Sequence, residues 1–198
     1  VLEELRVALA GGGTLQGRAE VSAKLIRATL KARSLDLRAL QSTLRSTELH
    51  GELDVAASAE SQSIAGTLSQ EGISLNASLS RKGDTLEVRS LRAMADGGEL
   101  SGSGTLELAE PFAFAARLRI ADFNPARFGD YPEGSLSGSV HAQGRWAAER
   151  RIDARWMLAD STLLGRPVAS RGSARLAATR VSRLEGEASF GESRISAR

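Results

Sequence analysis

Few residues in this sequence are suited to chemistry. There are two histidines, His50 and His141, and no cysteine. They are far apart in the chain and have no thiolate partner, so they lack the ligand spacing of a zinc centre. Both fall at outward positions of alternating runs, which reads as solvated imidazole rather than a poised base. The absence of cysteine excludes disulfides and leaves the redox compartment open. Asp122 and Asp130 share a loop and could in principle form an acid–base pair, but short acidic side chains in loops more often cap turns. Gly102-Ser103-Gly104 and Ser137-Gly138 do not complete a G-x-S-x-G nucleophile elbow. Gly11-Gly12-Gly13 lacks the Lys-Ser/Thr and the following helix of a phosphate-binding loop. No enzyme, cofactor or metal is expected. What remains is apolar chemistry, in which Trp156 reads as packing or as contact with an apolar ligand.

The elements that carry those apolar residues alternate with period two. Leu15, Gly17, Ala19, Val21 and Ala23 are separated by Gln16, Arg18, Glu20 and Ser22, the pattern of a half-buried strand. It recurs through Ile26 to Ala32 with Leu30, Leu49 to Val55 with Leu53, and Ile73 to Leu79 with Leu75. It continues at Leu86 and Val88, then Leu100 to Leu108 with Leu106, and Phe112, Phe114, Ala116, Leu118, Ile120. Leu136 to Ala142 with Val140, Ile152 to Leu158 with Trp156, Gly172 to Ala178, Leu184 to Phe190, and Ile195 with Ala197 complete the series. Twelve such strands, stacked about 4.8 Å apart, would give an array of roughly 58 Å.

Ala, Leu, Arg and Glu favour helices. A helix would nevertheless scatter these apolar positions around its axis, so the pattern prevails. The phase shifts between Ala32 and Leu35 and between Val88 and Leu91, as at a β-bulge. Gly11-Gly12-Gly13, Arg81 to Asp84 and Asp96-Gly97-Gly98 read as hairpin turns, and Gly144 to Arg151 as a solvated loop. Two connections are longer, Arg38 to Thr47 and Asp122 to Gly134, the latter with Pro125 and Pro132. Each has room for a helical turn.

A weak internal repeat is visible, with units about 14–115 and 116–198. Leu35, Leu37 and Leu40 match Leu118, Ile120 and Phe123. After a crossing, Leu49-x-Gly51-x-Leu53 matches Leu136-x-Gly138-x-Val140, which makes the second crossing four residues longer. Such a repeat implies a stacked array. The chain opens at Val1 without a Met and stops at Arg198 inside a patterned segment, so residues 1–198 read as one continuous piece of a longer protein.

Charge is nearly balanced, Lys+Arg 26 against Asp+Glu 24. The basic pI comes from 23 arginines rather than a basic field, and no nucleic-acid partner is expected. Five Phe, two Trp, one Tyr and six Ile are a thin supply for a closed sandwich of this length. Either the core is built from small residues, or the sheet curls around space occupied by another apolar molecule.

The stretch Asp96-Gly97-Gly98-Glu99-Leu100-Ser101-Gly102-Ser103-Gly104-Thr105-Leu106 resembles a recurring strand of TamB and its AsmA-like relatives. Leu118 to Pro125 followed by Gly134 to Val140 is similar to their strand, crossing and G-x-L-x-G unit. Gly191 to Arg198 resembles another strand that recurs along them. The resemblance implies an all-β fold: an elongated, curved, antiparallel-rich sheet bent into a U-shaped hydrophobic groove, a β-taco. It implies a periplasmic location in a Gram-negative envelope, with the parent protein anchored in the inner membrane by a segment absent here. It implies phospholipid acyl chains as ligand and an outer-membrane barrel protein, TamA-like, as partner of the parent. The expected function is a segment of a lipid-conducting bridge between the two membranes. The alternative is a scaffold that assists barrel assembly by strand pairing. The expected groove lining is Leu15, Val21, Leu30, Leu53, Leu75, Leu100, Leu106, Phe112, Phe114, Leu118, Ile120, Leu136, Val140 and Trp156.

Overall fold

Fourteen antiparallel strands make one sheet in the computed structural model, and their order in space is their order in the chain. They are β1 (Leu2–Ala8), β2 (Thr14–Val21), β3 (Ile26–Leu35), β4 (Leu49–Ala57), β5 (Ser61–Gln70), β6 (Ile73–Lys82), β7 (Thr85–Ala95), β8 (Gly98–Glu107), β9 (Ala113–Phe123), β10 (Gly134–Arg145), β11 (Arg151–Leu163), β12 (Arg166–Ala177), β13 (Arg180–Phe190) and β14 (Ser193–Ala197). The structure describes residues 2–9, 12–39, 41–178 and 180–197, Leu2 and Glu3 by their backbone alone. Gly11, Leu40 and Arg198, assigned above to a turn, the repeat and the last strand, lie outside them.

The fold is all-β, a curved, elongated sheet that does not close into a barrel, because β1 and β14 are not joined to each other. Two short 3-10 turns, Leu37–Ala39 and Pro125–Arg127, sit in the two long crossings. No helix among the described residues is long and apolar enough to cross a membrane.

The period-two pattern found twelve of these strands and missed β1 and β5. In β5, Ile64, Gly66 and Leu68 hold the apolar positions, but Ala65 between them weakens the alternation. In β1, Leu5 and Val7 leave too short a run. Fourteen strands at ~4.8 Å per strand give an array of roughly 67 Å. Both expected phase shifts are register shifts, at Ala32/Leu35 against β4 and at Val88/Leu91 against β8.

The crossings differ from the sequence alignment of the repeat. Ser34 and Asp122 both have positive φ, 54° and 46°. Leu35 pairs with Leu49 across the first crossing, and Phe123 with Leu136 across the second. The equivalent pairs are therefore Leu35 with Phe123 and Leu49 with Leu136. On this matching the second crossing is one residue shorter, not four residues longer. Three-dimensional register decides the match, and a bulge before each crossing displaces it from the apolar pattern.

The two crossings meet. Leu44 bridges Gly129, the Arg45 N–H donates to the Phe128 carbonyl at 2.8 Å, and the Asp130 N–H donates to the Thr43 carbonyl at 3.1 Å. They form a strap over one end of the sheet. Beneath it lies the densest apolar cluster, in which Phe123 and Phe128 stack at 5.2 Å beside Ala93 and Ala95. Leu37, Ile73, Leu75, Leu100 and Ile120 pack against that cluster.

Asp36 fixes the first crossing. Its carboxylate accepts from the Arg38 and Thr47 N–H groups at 2.9 and 3.0 Å and from the Ser46 hydroxyl at 3.1 Å. The Arg38 amide bond, then the Thr47 amide bond, hold its pKa below the usual value of 3.8. A carboxyl lowered on folding stabilises the fold above its unfolded pKa, and that stability is lost as pH falls through the folded value. The Arg38 and Thr47 amide resonances should therefore stay constant from pH 7 to about 5 and move together below about 4. Persistence of that joint transition in Asp36→Asn would contradict the assignment.

Candidate functional site: an open apolar face

Successive side chains of a strand point to opposite faces, and register-paired residues of neighbouring strands share a face. Following the pairs from strand to strand therefore traces rows across the sheet. One row runs through all fourteen strands: Leu5, Gly17, Leu30, Leu53, Gly66, Ala77, Leu91, Gly102, Leu118, Val140, Trp156, Gly172, Gly186 and Ala197. It contains no polar side chain.

The neighbouring row on one side also crosses all fourteen strands. It holds Val7, Leu15, Leu68, Leu75, Leu100, Ile120, Leu158 and Ile195 among smaller residues. Its one polar member, Ser170, accepts a hydrogen bond from the Trp156 indole at 2.9 Å, which satisfies that N–H inside the apolar surface. The row on the other side carries Val55, Ile64, Leu79, Val88 and Leu184 between alanines and one glycine. A fourth row includes Val21, Ile26, Leu86, Leu106, Phe114, Ile152 and Leu176, and only Gln62 and Arg81 interrupt it.

Thirteen of the fourteen residues expected to line a groove thus share this face, with Leu136 opposite Phe123 at the strap end. Phe112 is the exception. It lies in the turn before β9 with φ 50°, its N–H donating to the Ala109 carbonyl at 2.8 Å. Its parity with Phe114 suggests a strand, but Pro111 beside it has no N–H for a ladder, and pairing starts only after Phe112. The expectation missed Ile64 and Leu68 of β5 and Leu5 and Val7 of β1. It also missed Phe128, whose place on the face follows from the crossing rather than from any local pattern.

Among the described residues, no second layer covers the apolar face away from the strap. Ile26, Ile64, Leu91, Leu106, Leu184 and Ile195 are all exposed, Leu106 by 37 %. A closed, filled sandwich is therefore excluded. Small residues have another purpose here. A Cβ added at Gly17 would lie 2.0 Å from the Thr29 carbonyl oxygen, and one at Gly51 would lie 1.9 Å from that of Thr67. Such a Cβ would stand on the apolar side, so the neighbouring backbone closes in on that side, as at the inside of a bend. Larger side chains lie over glycines of the adjacent strand. A Cβ at Gly66 would meet Leu53 and one at Gly172 would meet Trp156, at 2.6 and 2.7 Å.

The other face is polar. Its longest row runs Arg6, Gln16, Lys31, Glu52, Thr67, Asn76, Arg92, Ser101, Arg119, Ser139, Met157, Arg171, Glu187 and Ser196. Ion pairs such as Arg171–Glu187 and Arg175–Asp153, both 2.5 Å, lie across it. Each is open to solvent on at least one partner and contributes at most about 1 kcal/mol. His50 faces this side, its Nδ1 accepting from the Ser34 N–H at 3.3 Å. Asp122 accepts from the Ser135 and Ser137 hydroxyls at 3.4 and 3.3 Å, which is a structural use. Among the described residues, no group of three or more His, Asp or Glu is placed to hold a metal ion.

A hollow of about 740 Å³ lies on the polar face over β7 to β13. A twisted sheet is saddle-shaped, so each face is concave along one diagonal. No protein-family model matches this chain, and no curated protein or solved structure does so either.

Proposed function

We propose that this chain is a lipid-conducting segment whose apolar face carries phospholipid acyl chains. The observation that supports the reading is the unbroken apolar row through fourteen paired strands, flanked by two nearly apolar rows and uncovered by any second layer. Each methylene shielded from water contributes about 0.8 kcal/mol, so an acyl chain along the rows gains several kcal/mol. Side chains such as Leu30, Leu118 and Val140 recognise no particular lipid, and a lining without deep traps permits sliding. Headgroups would remain in water at the rims. The reading places the segment in the periplasm, in a parent protein anchored in the inner membrane and working with an outer-membrane barrel. It assigns the chain no catalytic role.

Mass spectrometry of the purified chain tests the proposal. Phospholipid should co-purify in stoichiometric amount, and a lipid-free preparation that takes up no acyl chain from vesicles would sink it. Leu106→Asp gives the sharper result. The site is exposed between Leu86 and Phe114, so the carboxylate stays hydrated and the fold should survive with a midpoint shift of a few degrees. Bound lipid should fall severalfold, because a chain must then cross a wet charged ring. Intact folding with unchanged lipid occupancy would contradict the conduit.

A second reading has its own observation. Among the described residues, the outer edges of β1 and β14 pair with no other strand, and an open edge can accept an added strand. A scaffold for barrel assembly would use these edges. Backbone pairing of an outer-membrane-protein strand peptide to β14, seen as amide protection of Ser193 to Ala197, would favour it.

A further inference from the structure

We propose that the hollow on the polar face is an anion site that takes a phosphate group between Arg117 and Arg155. Five arginines line it, at positions 89, 117, 155, 175 and 183, against three carboxylates, Glu87, Asp153 and Glu185. Each carboxylate already has its own arginine. Arg89 bonds Glu87 at 3.1 Å, Arg175 bonds Asp153 at 2.5 Å, and Arg183 bonds Glu185 at 2.6 Å. Arg117 and Arg155 are left over, and among the described residues neither guanidinium has a hydrogen-bond or ion-pair partner.

Their placement turns a surplus into a site. Register pairs run Ser103, Arg117, His141, Arg155, Ser173 across five neighbouring strands. Two guanidinium groups thus flank one imidazole, and all three point to the polar face. Like charges so close on a sheet oppose folding, and the three carboxylates of the hollow are each bonded to another arginine. Arg117 and Arg155 stand two strands apart, about 9.6 Å. A phosphate gripped from both sides through N–O contacts of about 2.8 Å needs guanidinium groups roughly 8 Å apart, within the swing of two arginine side chains. The planar fork of each matches two phosphate oxygens. His141 and Gln143 supply further N–H donors, and Ser103 and Ser173 hydroxyls complete the rim. The phosphate could belong to a lipid headgroup or to a free phosphate compound. The hollow lies on the face opposite the apolar rows, so this site stands or falls independently of acyl-chain binding.

Calorimetric titration of the intact chain at physiological salt tests the proposal in two arms, one with inorganic pyrophosphate and one with phosphatidylglycerol vesicles. Phosphatidylcholine vesicles serve as the neutral control. Arg117→Gln and Arg155→Gln are compared with Arg18→Gln, a substitution on the polar face of β2 outside the hollow. At least one probe should bind, with affinity reduced tenfold or more in both hollow variants and unchanged in Arg18→Gln. Binding of pyrophosphate assigns the site to soluble phosphates, and binding of the anionic vesicles alone assigns it to a headgroup. Without ligand, both hollow variants should be at least as stable as the parent, because each removes a like-charge contact. No binding of either probe, or equal losses in all three variants, would overturn the proposal in favour of a diffuse basic face.

Discussion

Gly51→Val is expected to lower the unfolding midpoint by roughly 6–12 °C, the shift that about 3 kcal/mol produces in a domain of this size. Gly51 pairs with Ala32 on one side and Leu68 on the other, in the middle of β4. The first atom of any side chain there would lie 1.9 Å from the Thr67 carbonyl oxygen, 2.9 Å from its carbonyl carbon and 3.0 Å from the Leu68 Cα. All three are backbone, so no rotamer change relieves the clash, and the β4–β5 ladder must part. Overpacking typically costs about 1–3 kcal/mol, and a clash with immovable backbone belongs at the upper end. Thr67→Val, on the polar face of the adjacent strand, keeps the β-branched shape, loses only the exposed hydrogen bond that Asn76 donates to the Thr67 hydroxyl at 2.7 Å, and should change stability by at most about 1 kcal/mol. Thermal unfolding of the pair measures the difference. A Gly51→Val chain as stable as Thr67→Val would mean that the strands do not close in on the apolar side, and the bend argued from the glycines would fail.

That bend shows how much the sequence discloses. Alternation alone places Leu30, Leu53, Leu118, Val140 and Trp156 on one side of their strands, because parity within a strand is a local property. Their joining into one row depends on register, and register depends on turn lengths and bulges that must all be right together. Two of them, Ala32/Leu35 and Val88/Leu91, are legible as breaks in phase, whereas the shifts at Leu136/Gly138, Leu158/Ser161 and Arg175/Leu176 leave no such mark. The missed strand β5 has a plain cause. An alanine on the polar side, Ala65, looks apolar to a pattern and neutral to the protein. Phe112 failed for the converse reason, because its side chain fits the alternation while its backbone belongs to a turn.

The sequence conceals the strap entirely. Nothing near Leu44 announces that it will bridge Gly129, because the contact joins two crossings separated by β4 to β9. Only the crossing lengths hint at it, as each holds more residues than a hairpin needs. The polar hollow is hidden in the same way. Arg117, His141 and Arg155 are unremarkable surface residues one by one, and become a cluster only when β9, β10 and β11 align.

Phe128→Ala is the second large effect, and it should open the strap while leaving the sheet standing. Phe128 is one of few large buried apolar side chains and stacks on Phe123 above Ala93 and Ala95. Truncating a buried phenylalanine costs about 3–5 kcal/mol, and small alanines beneath it offer no side chain to fill the gap. The crossing that carries it is otherwise fastened by few backbone bonds. Arg45 to Phe128 and Asp130 to Thr43 are the main links between the two crossings. The loss should therefore appear as local opening rather than global unfolding. Amide exchange at Arg45 and Asp130 should accelerate about a hundredfold or more, while amides of Arg151 to Ala154 in β11 and Ala174 to Ala177 in β12, at the end of the sheet away from the strap, keep their protection. Far-UV circular dichroism should remain that of a β protein. Removing the strap also uncovers Leu75, Leu100 and Ile120, so the chain should bind more lipid, not less, if the apolar face is the acyl path. Unchanged exchange at Arg45 would show that Phe128 does not hold the strap. Faster exchange with reduced lipid would show that the strap, rather than the open face, is where acyl chains are held.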